Sequence, residues 1–359
     1  MRLMSIDAFR GFDMFWIMGF ERVLVALGLF VGGGFGALLQ TQMTHCTWEG
    51  LRLYDLVFPT FLFLAGVSWP FSYSSQVEKG RTRMQIYQKM LVRVLLLVVL
   101  GFLHDNVLKL NFERQRLWSV IGRIGVVWAI SAILYAECGV KRMAWTGLAV
   151  LVGYFCLIRF VPAPGAPAGA DLILDQQANI ACWIDANYLT TMHRHEGGVA
   201  TLGMLPTAVF GVLAGALLRR TDLSGNRKTL LLLAFAAVLA AVGFAWQPWC
   251  PCVKGIWTPT FACFAAAIAM AGLAAFYWII DVRGHRSWPF FFVVIGMNSI
   301  TIYMLRAFVK FDDISRRIFG GAARFLPEGA GDILVLSGSV ALGWLVLYFL
   351  YRKKTFLKV

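Results

Sequence analysis

The chain has 359 residues, 59% of them hydrophobic and only 14% charged, and its mean hydropathy is +0.69. Soluble domains carry about 25% charged residues, so this composition excludes a soluble enzyme and implies an integral membrane protein. In a soluble protein the net charge of +14 would suggest a nucleic-acid partner. Here cationic loops that set topology and meet anionic headgroups account for it, and no nucleic-acid partner is expected.

Ten apolar runs are long enough to cross a hydrocarbon core of about 30 Å as helices of roughly 20 residues. In chain order they are Phe12–Val31, Leu53–Tyr73, Tyr87–Leu103, Leu117–Ala136, Met143–Val161, Val199–Leu218, Thr229–Trp246, Thr260–Ile280, Phe290–Leu305 and Ile333–Tyr351. They predict a single all-α, multi-pass transmembrane domain over residues 1–359. The first run lacks a small-residue cleavage pattern and contains Glu21 and Arg22, so it reads as a spanning helix rather than a signal peptide, with nothing soluble before it.

The segment between the first two helices carries the strongest chemical signal. It places His45, Trp48, Glu49 and Asp55 at the mouth of the second helix, where unpaired polar groups are costly and tend to be kept for chemistry. Further along, Asp13 and Glu21 lie within a narrow sector of one face of the first helix, with Arg10 a turn earlier. Arg93 stands in the third helix, and Arg116 and Arg123 share a face at the fourth. Either these groups form ion pairs that hold the bundle together, or they line a polar interior. Between the fifth and sixth helices an outer loop at about 162–198 opens with Pro162, Pro164, Gly165 and Pro167 and ends in His193-Arg194-His195-Glu196. It reads as a cap or an acceptor-binding lid, and two imidazoles without a third partner make a weak zinc motif. Gly211 and Gly215 form a close-packing face in the sixth helix, and Gly296-Met-Asn-Ser299 interrupts the ninth, where Asn298 calls for a partner.

Basic residues follow every even-numbered helix: Lys79, Arg81, Arg83 and Lys89, then Lys141 and Arg142, then Arg219, Arg220, Arg227 and Lys228, then Arg283 and Arg286, and finally Arg352, Lys353 and Lys354. Cationic loops stay cytoplasmic, so both termini are expected inside and His45 outside, in a cell inner membrane. Arg52 and Lys254 are nearly alone in their outer loops, whereas Lys109, Arg114, Arg116, Lys310, Arg316, Arg317 and Arg324 weaken the contrast. The seven cysteines make no disulfide framework; Cys46, Cys182, Cys250 and Cys252 fall on the outer side, where oxidation is open to them and any pairing is left undetermined.

Taken together, Ser5-Ile-Asp-Ala-Phe-Arg-Gly-Phe-Asp-Met14, His45-Cys-Thr-Trp-Glu-Gly50, Asp55-Leu-Val-Phe-Pro59, Arg116, Arg123-Ile-Gly125, Glu196-Gly197, Leu202-Gly203, Lys254-Gly-Ile-Trp-Thr258, Ile280-Asp-Val-Arg-Gly284 and Gly296-Met-Asn-Ser299 resemble the heparan-α-glucosaminide N-acetyltransferase family and its bacterial relatives, nearly end to end. The resemblance implies a polytopic enzyme that takes acetyl from cytosolic acetyl-CoA and delivers it to an amine across the membrane. It also implies His45 as the active-site histidine and leans toward a homodimer. Two departures stand out. Glu21 occupies, by register, the place of an asparagine in the lysosomal members, and their extra lumenal N-terminal domain is expected to be absent, so heparan is not the expected acceptor.

The chemistry fits these residues independently. Transfer of acetyl from a thioester to an amine needs a base working near neutral pH, and histidine, with an unperturbed pKa of about 6.5, suits it. Glu21 or Asp55 can orient the imidazole, and Asn298 or Trp48 can donate to the thioester oxygen as it gains charge. Arg10, Arg123 and Ser299 complete the expected acetyl-CoA contacts, with Arg10 near the cytoplasmic headgroup. Whether His45 acts as base or as transient acyl carrier stays open, and no metal is expected. A second class also fits ten helices with polar and Gly or Pro interruptions at Pro59, Pro206 and Gly296: a secondary transporter of a sugar or lipid-linked intermediate.

Overall fold

The structure, a computed structural model, describes residues 3–107, 118–188 and 197–357. Among these the chain is all-α, with no strand and two isolated β-bridges. The helices are α1 (Met4–Phe15), α2 (Glu21–Val31), α3 (Gly33–Gln42), α4 (Val57–Glu78), α5 (Arg83–Phe102), α6 (Val120–Phe160) and α7 (Ile180–Tyr188). They continue as α8 (Ala200–Arg219), α9 (Gly225–Trp246), α10 (Pro259–Tyr277), α11 (Phe290–Met297), α12 (Ser299–Phe308), α13 (Phe311–Ala323) and α14 (Ala330–Arg352). Their starts follow local chemistry. Thr82 and Gln85 form a reciprocal capping box at α5, and Thr258 caps α10 with Pro259 in its first turn.

Among the described residues eight continuous helical stretches are long and apolar enough to span a membrane, and α11 with α12, bent by 70° at Asn298, adds a broken one. The 41 residues of α6 would extend about 60 Å as one rod, twice the apolar thickness of a bilayer. Gly139 breaks that rod with φ 69° and ψ 174°. The two ends of α6 meet the same neighbouring segment, since Arg123 acts electrostatically on Asp185 and Arg159 pairs with Asp171 at 3.5 Å. Two of the ten expected apolar runs thus share α6, on either side of Gly139, and the described residues hold eight continuous candidate spans and one broken one.

Small residues set the closest approaches, as expected where lipid supplies no hydrophobic drive. A methyl on Gly211 would sit 2.1 Å from the Phe63 carbonyl and one on Gly215 2.2 Å from that of Val67, so the anticipated glycine face of α8 packs on α4 backbone to backbone. Gly296 does the same against Asp7 of α1, at 1.9 Å. Large apolar side chains on α5, α9 and α14, such as Leu91, Phe235 and Phe349, face outward, as a hydrocarbon solvent permits.

Two devices position the site. A π-helical turn over Trp16–Phe20, with Gly19 at φ 109°, joins α1 to α2 and re-aims Glu21. At the far end of α2, Gly32 and Gly33 adopt positive φ, and α3 folds back along α2 so closely that a Cβ on Gly28 would lie 2.7 Å from the Gly36 carbonyl. This return brings the 43–52 loop down beside the start of α4. The described C-terminal end lies away from it: Leu357 lines a cavity together with Arg10 and Ser72 toward the other end of α4.

Candidate active site at the His45 loop

Asp55 sits in a 3-10 turn, Leu53–Leu56, that leads into α4. It is fully buried, and its carboxylate is saturated. Oδ2 accepts from the backbone N–H of Cys46 and of Arg52, both at 3.2 Å, while Oδ1 lies 2.8 Å from His45 Nδ1 and 3.1 Å from Lys254 Nζ. These four contacts use the four lone-pair directions a carboxylate has. Local sequence explains the placement, because Asp55 caps a turn three residues after Arg52, and the Arg52 guanidinium holds Thr44 Oγ1 at 2.8 Å and the His45 carbonyl at 2.9 Å.

His45 itself is half exposed. The Tyr54 ring covers one face, with centroids 4.7 Å apart and planes inclined by 29°. Lys254 Nζ lies 3.0 Å from Nδ1. An ammonium can only donate and a carboxylate only accept: with its proton on Nδ1 the ring donates to Asp55, with its proton on Nε2 the bare Nδ1 accepts from Lys254, and in both cases Lys254 donates to Asp55 Oδ1.

Lys254 arrives from the loop between α9 and α10. Glu49 and Val253 form an antiparallel bridge, and the Gly50 N–H donates to the Cys252 carbonyl at 2.8 Å. Trp257 closes the Lys254-Gly-Ile-Trp turn at φ 51°, a conformation unfavourable for a bulky residue; its backbone N–H donates to the Lys254 carbonyl at 3.0 Å and its indole to Thr207 at 3.2 Å. Burial pushes the neighbouring Cys252 thiol up to about 12 and raises Cys250 as well, so neither is a reactive thiolate. Cys46, Cys250 and Cys252 are free thiols.

Behind Tyr54 lies a second charged group. Glu21 Oε1 is 3.6 Å from Arg22 Nε, Arg22 pairs with Asp312, and Asp312 accepts from Ser339 Oγ at 2.6 Å. Glu21 and Arg306 both act electrostatically on Tyr54, and Glu21 Oε2 is buried without a hydrogen-bond partner.

A cavity of about 330 Å³ lies toward the other end of α4. Along α4 its lining runs from Ser72 through Ser68 to Phe58, about 21 Å at 1.5 Å per residue, and ends one turn short of Asp55. Arg10 and Arg93 line it beside Ser68 and Trp128, with Arg10 donating to Ser68 Oγ at 2.7 Å and Arg93 stacked 4.6 Å over Trp128. Ser299 lines it where the α11–α12 bend opens; Asn298, 2% exposed, accepts from Thr301 at 3.4 Å and leaves its Nδ2 without a partner.

Of the residues expected from sequence, His45 and Asp55 meet directly, Glu21 stands one aromatic ring away, and Arg10 and Ser299 line the cavity. Arg123 is buried with its guanidinium 5.2 Å from the Phe58 ring at the cavity end. Trp48 lies on the far side of the His45 loop, donating to the Ile173 carbonyl at 3.3 Å and so tying the 162–188 cap to the loop. Among the intramembrane charges, Arg22 with Asp312 makes an ion pair between α2 and α13, whereas Arg93 packs over the Trp128 ring. Arg116 and the His193–Glu196 cluster lie outside the described residues. Lys254 and Tyr54 are the site residues that sequence reasoning passes over; the signal for Lys254 was its isolation as a cation in an outer loop.

No family model matches the chain. Two curated proteins are similar to it over its whole length: "Heparan-alpha-glucosaminide N-acetyltransferase" of Homo sapiens, 25% identical over 422 aligned positions, and the Mus musculus protein of the same name, 25% over 421. The chain spans about 60% of the length of these relatives. It is therefore, from end to end, a distant relative of the heparan-alpha-glucosaminide N-acetyltransferases.

Proposed function

We propose that this protein is a transmembrane acetyltransferase. It takes acetyl from acetyl-CoA entering from the cytoplasm and delivers it to the amine of an amino sugar or glycan on the periplasmic side of the inner membrane. The observation that carries this reading is the alignment of two features along α4. An acid-base pair, His45 and Asp55 at 2.8 Å, stands one helical turn beyond the end of a cavity whose opposite end bears Arg10. The similarity to N-acetyltransferases supports it further.

In this reading Arg10 meets the phosphates of the donor, with Arg93 beside it, since guanidinium forks suit phosphate oxygens. Arg123 is assigned to the inner end of the donor path. The pantetheine arm, thin and mostly apolar, follows the Phe61, Ala65 and Ile124 wall toward Phe58. Ser299 and the unpartnered amide of Asn298 supply donors for a thioester or amide carbonyl, with the Trp48 indole reserved to the acceptor side of the loop. At the outer end the body of the acceptor is held on the Glu21 side of the Tyr54 ring, while its amine, at the edge of that ring, loses its proton to His45 as its nitrogen attacks the acetyl carbon. The C–N bond forms, the C–S bond breaks, and the coenzyme leaves as a thiolate that takes up a proton. General-base help of this kind contributes about 10²–10⁴-fold. Both termini are then cytoplasmic, and the assembly is a homodimer.

The test offers labelled acetyl-CoA and a panel of amino sugars and glycan fragments to the reconstituted protein. Native chain labels at least one acceptor and His45→Ala labels none; equal labelling by both removes His45 from the reaction. A broken helix with an unpaired Asn298 amide also suits a transporter. Thermal stabilisation by acetyl-CoA separates the two, because a carrier of unrelated cargo does not show it.

A further inference from the structure

The end of α14 carries a feature that packing alone does not explain. The chain reverses there through two hydrogen bonds, from the Thr355 N–H to the Leu350 carbonyl at 2.9 Å and from the Lys354 N–H to the Tyr351 carbonyl at 3.0 Å. This paired closure puts the residue just past the helix in the left-handed region, and Lys354 adopts it at φ 53°. Glycine usually fills that place, because a Cβ is strained there. Among the described residues only Trp257 and Lys354 take positive φ without being glycine. The reversal sends the following residues back to the bundle. Phe356 packs on the Tyr351 ring, with centroids 6.3 Å apart, and Leu357 joins Arg10 and Ser72 in lining the 330 Å³ cavity. Leu357 is 48% exposed and Ser72 is exposed as well, so the cavity opens beside this segment. Lys354 stands three positions before Leu357, a Cα span of at most about 11 Å. Arg352, Lys353 and Lys354 are all exposed, and no acidic residue lies between Asp332 and Leu357.

We propose that segment 353–357 is the nucleotide side of the donor site: Leu357 borders the opening, and Lys354, with Lys353, binds the phosphates that the cavity does not enclose. The inference rests on acetyl-CoA being the donor. About 330 Å³ drawn out along about 21 Å of α4 takes an extended arm and leaves the bulky, multiply charged nucleotide outside. Arg10 is the cation within the opening, but it is shared with Ser68 at 2.7 Å and Asp7 at 3.4 Å. A nucleotide with a diphosphate and a 3′-phosphate carries more negative charge than one partly neutralised guanidinium matches. An ammonium on a flexible stem suits such a phosphate as a point charge. Retention of cationic loops on the cytoplasmic side accounts for the charges of 352–354. It does not account for a lysine in a left-handed turn or for the return of Leu357 to the cavity, since topology is indifferent to both.

The test separates the nucleotide from the arm, with full-length protein in detergent titrated calorimetrically with CoA and with acetyl-pantetheine, which lacks the nucleotide. Lys354→Gly removes the charge while relieving the turn. It is expected to weaken CoA binding about tenfold, to leave acetyl-pantetheine binding near native, and to flatten the salt dependence of CoA binding. Its thermal midpoint without ligand is expected to equal or exceed that of native protein, because glycine is the favoured residue at this position. Lys354→Asn, neutral and also at ease in the left-handed region, gives the same loss of CoA affinity. Unchanged CoA affinity in both variants overturns the proposal, as does an equal weakening of CoA and acetyl-pantetheine, which would mean that the segment acts through folding. If the variants lose CoA as expected while native protein acetylates no amine, the role of Lys354 stands and the acetyltransferase reading fails. If native protein binds CoA and acetylates an amine, and both variants do so equally, that reading stands and this inference fails. Native protein that binds no CoA removes both.

Discussion

The Tyr54 ring lies against the His45 imidazole, with centroids 4.7 Å apart, and separates that histidine from Glu21, whose charge acts on the Tyr54 phenol. Two polar groups that face different elements are thereby arranged on either side of one aromatic plate. Tyr54→Phe retains the plate and is expected to keep activity within about threefold. Tyr54→Ala lets the ring rotate and is expected to lower kcat by about tenfold or more, since small misplacements of a reacting group are expensive. Steady-state kinetics of the two variants checks this.

Asp55→Asn removes the charge that orients the imidazole while keeping its size. An amide cannot satisfy two backbone donors, an ammonium and an imidazole N–H together. Loss of kcat by about 10²–10⁴-fold is expected, with the KM for acetyl-CoA little changed because the cavity ends a turn away. A variant with native kcat would show that the His45–Asp55 contact is idle.

Arg10 and Glu21 stand at opposite ends of the proposed path, so their losses should separate. Arg10→Ala is expected to raise the KM for acetyl-CoA about tenfold, and Glu21→Ala to raise the KM for the amine by a similar factor, each leaving the other constant near native. A tenfold change corresponds to about 1.4 kcal/mol. Bisubstrate kinetics reads both constants, and crossed effects would refute the assignment of ends.

Gly211→Ala places a methyl 2.1 Å from the Phe63 carbonyl, where backbone rather than a flexible side chain must give way. Overpacking of this kind destabilises by about 1–3 kcal/mol, and a lowered midpoint in thermal unfolding in detergent is the expected result. Gly153→Ala, which meets nothing within 4 Å, serves as the control and should leave the midpoint unmoved.

Asp312, on the amphipathic helix α13, tests the charged group behind Tyr54. Burial would raise its pKa, but hydrogen bonds from Ser339 and Arg22 and the charges of Arg22 and Arg306 hold it below the usual carboxylate value. A carboxyl depressed in the folded state adds stability above its unfolded pKa, and that contribution is lost as pH falls through the folded one. Asp312→Asn is therefore expected to lower the thermal midpoint at pH 7, and the gap from native protein to narrow as pH falls below about 4. A gap that stays constant with pH would mean that the carboxylate charge contributes nothing.

Apolar run length alone was enough to mark where the spanning helices lie, because in a bilayer a run of some twenty apolar residues has one low-energy outcome, a spanning helix. Even where α6 continues as one helical stretch across Gly139, two separate apolar runs mark its two sides. Gly211 and Gly215 were legible for a related reason: small residues on one helical face permit backbone contact wherever the partner lies. His45 and Asp55 were legible because isolated titratable groups at a membrane boundary are costly enough to stand out.

What composition and order could not supply was partnership. Nothing local ties Lys254 to His45, 209 positions away; that contact exists because the 43–52 and 247–258 loops pair through their backbones, and backbone pairing carries no side-chain signature. Trp48 was legible as an indole donor, but that its N–H meets the Ile173 carbonyl came only with the fold. Sequence by itself determined the solvent and the helices, since both follow from transfer free energies and local periodicity. Only the tertiary structure decided which cation faces the imidazole and where the cavity ends, because those depend on how separate helices meet through a few close contacts.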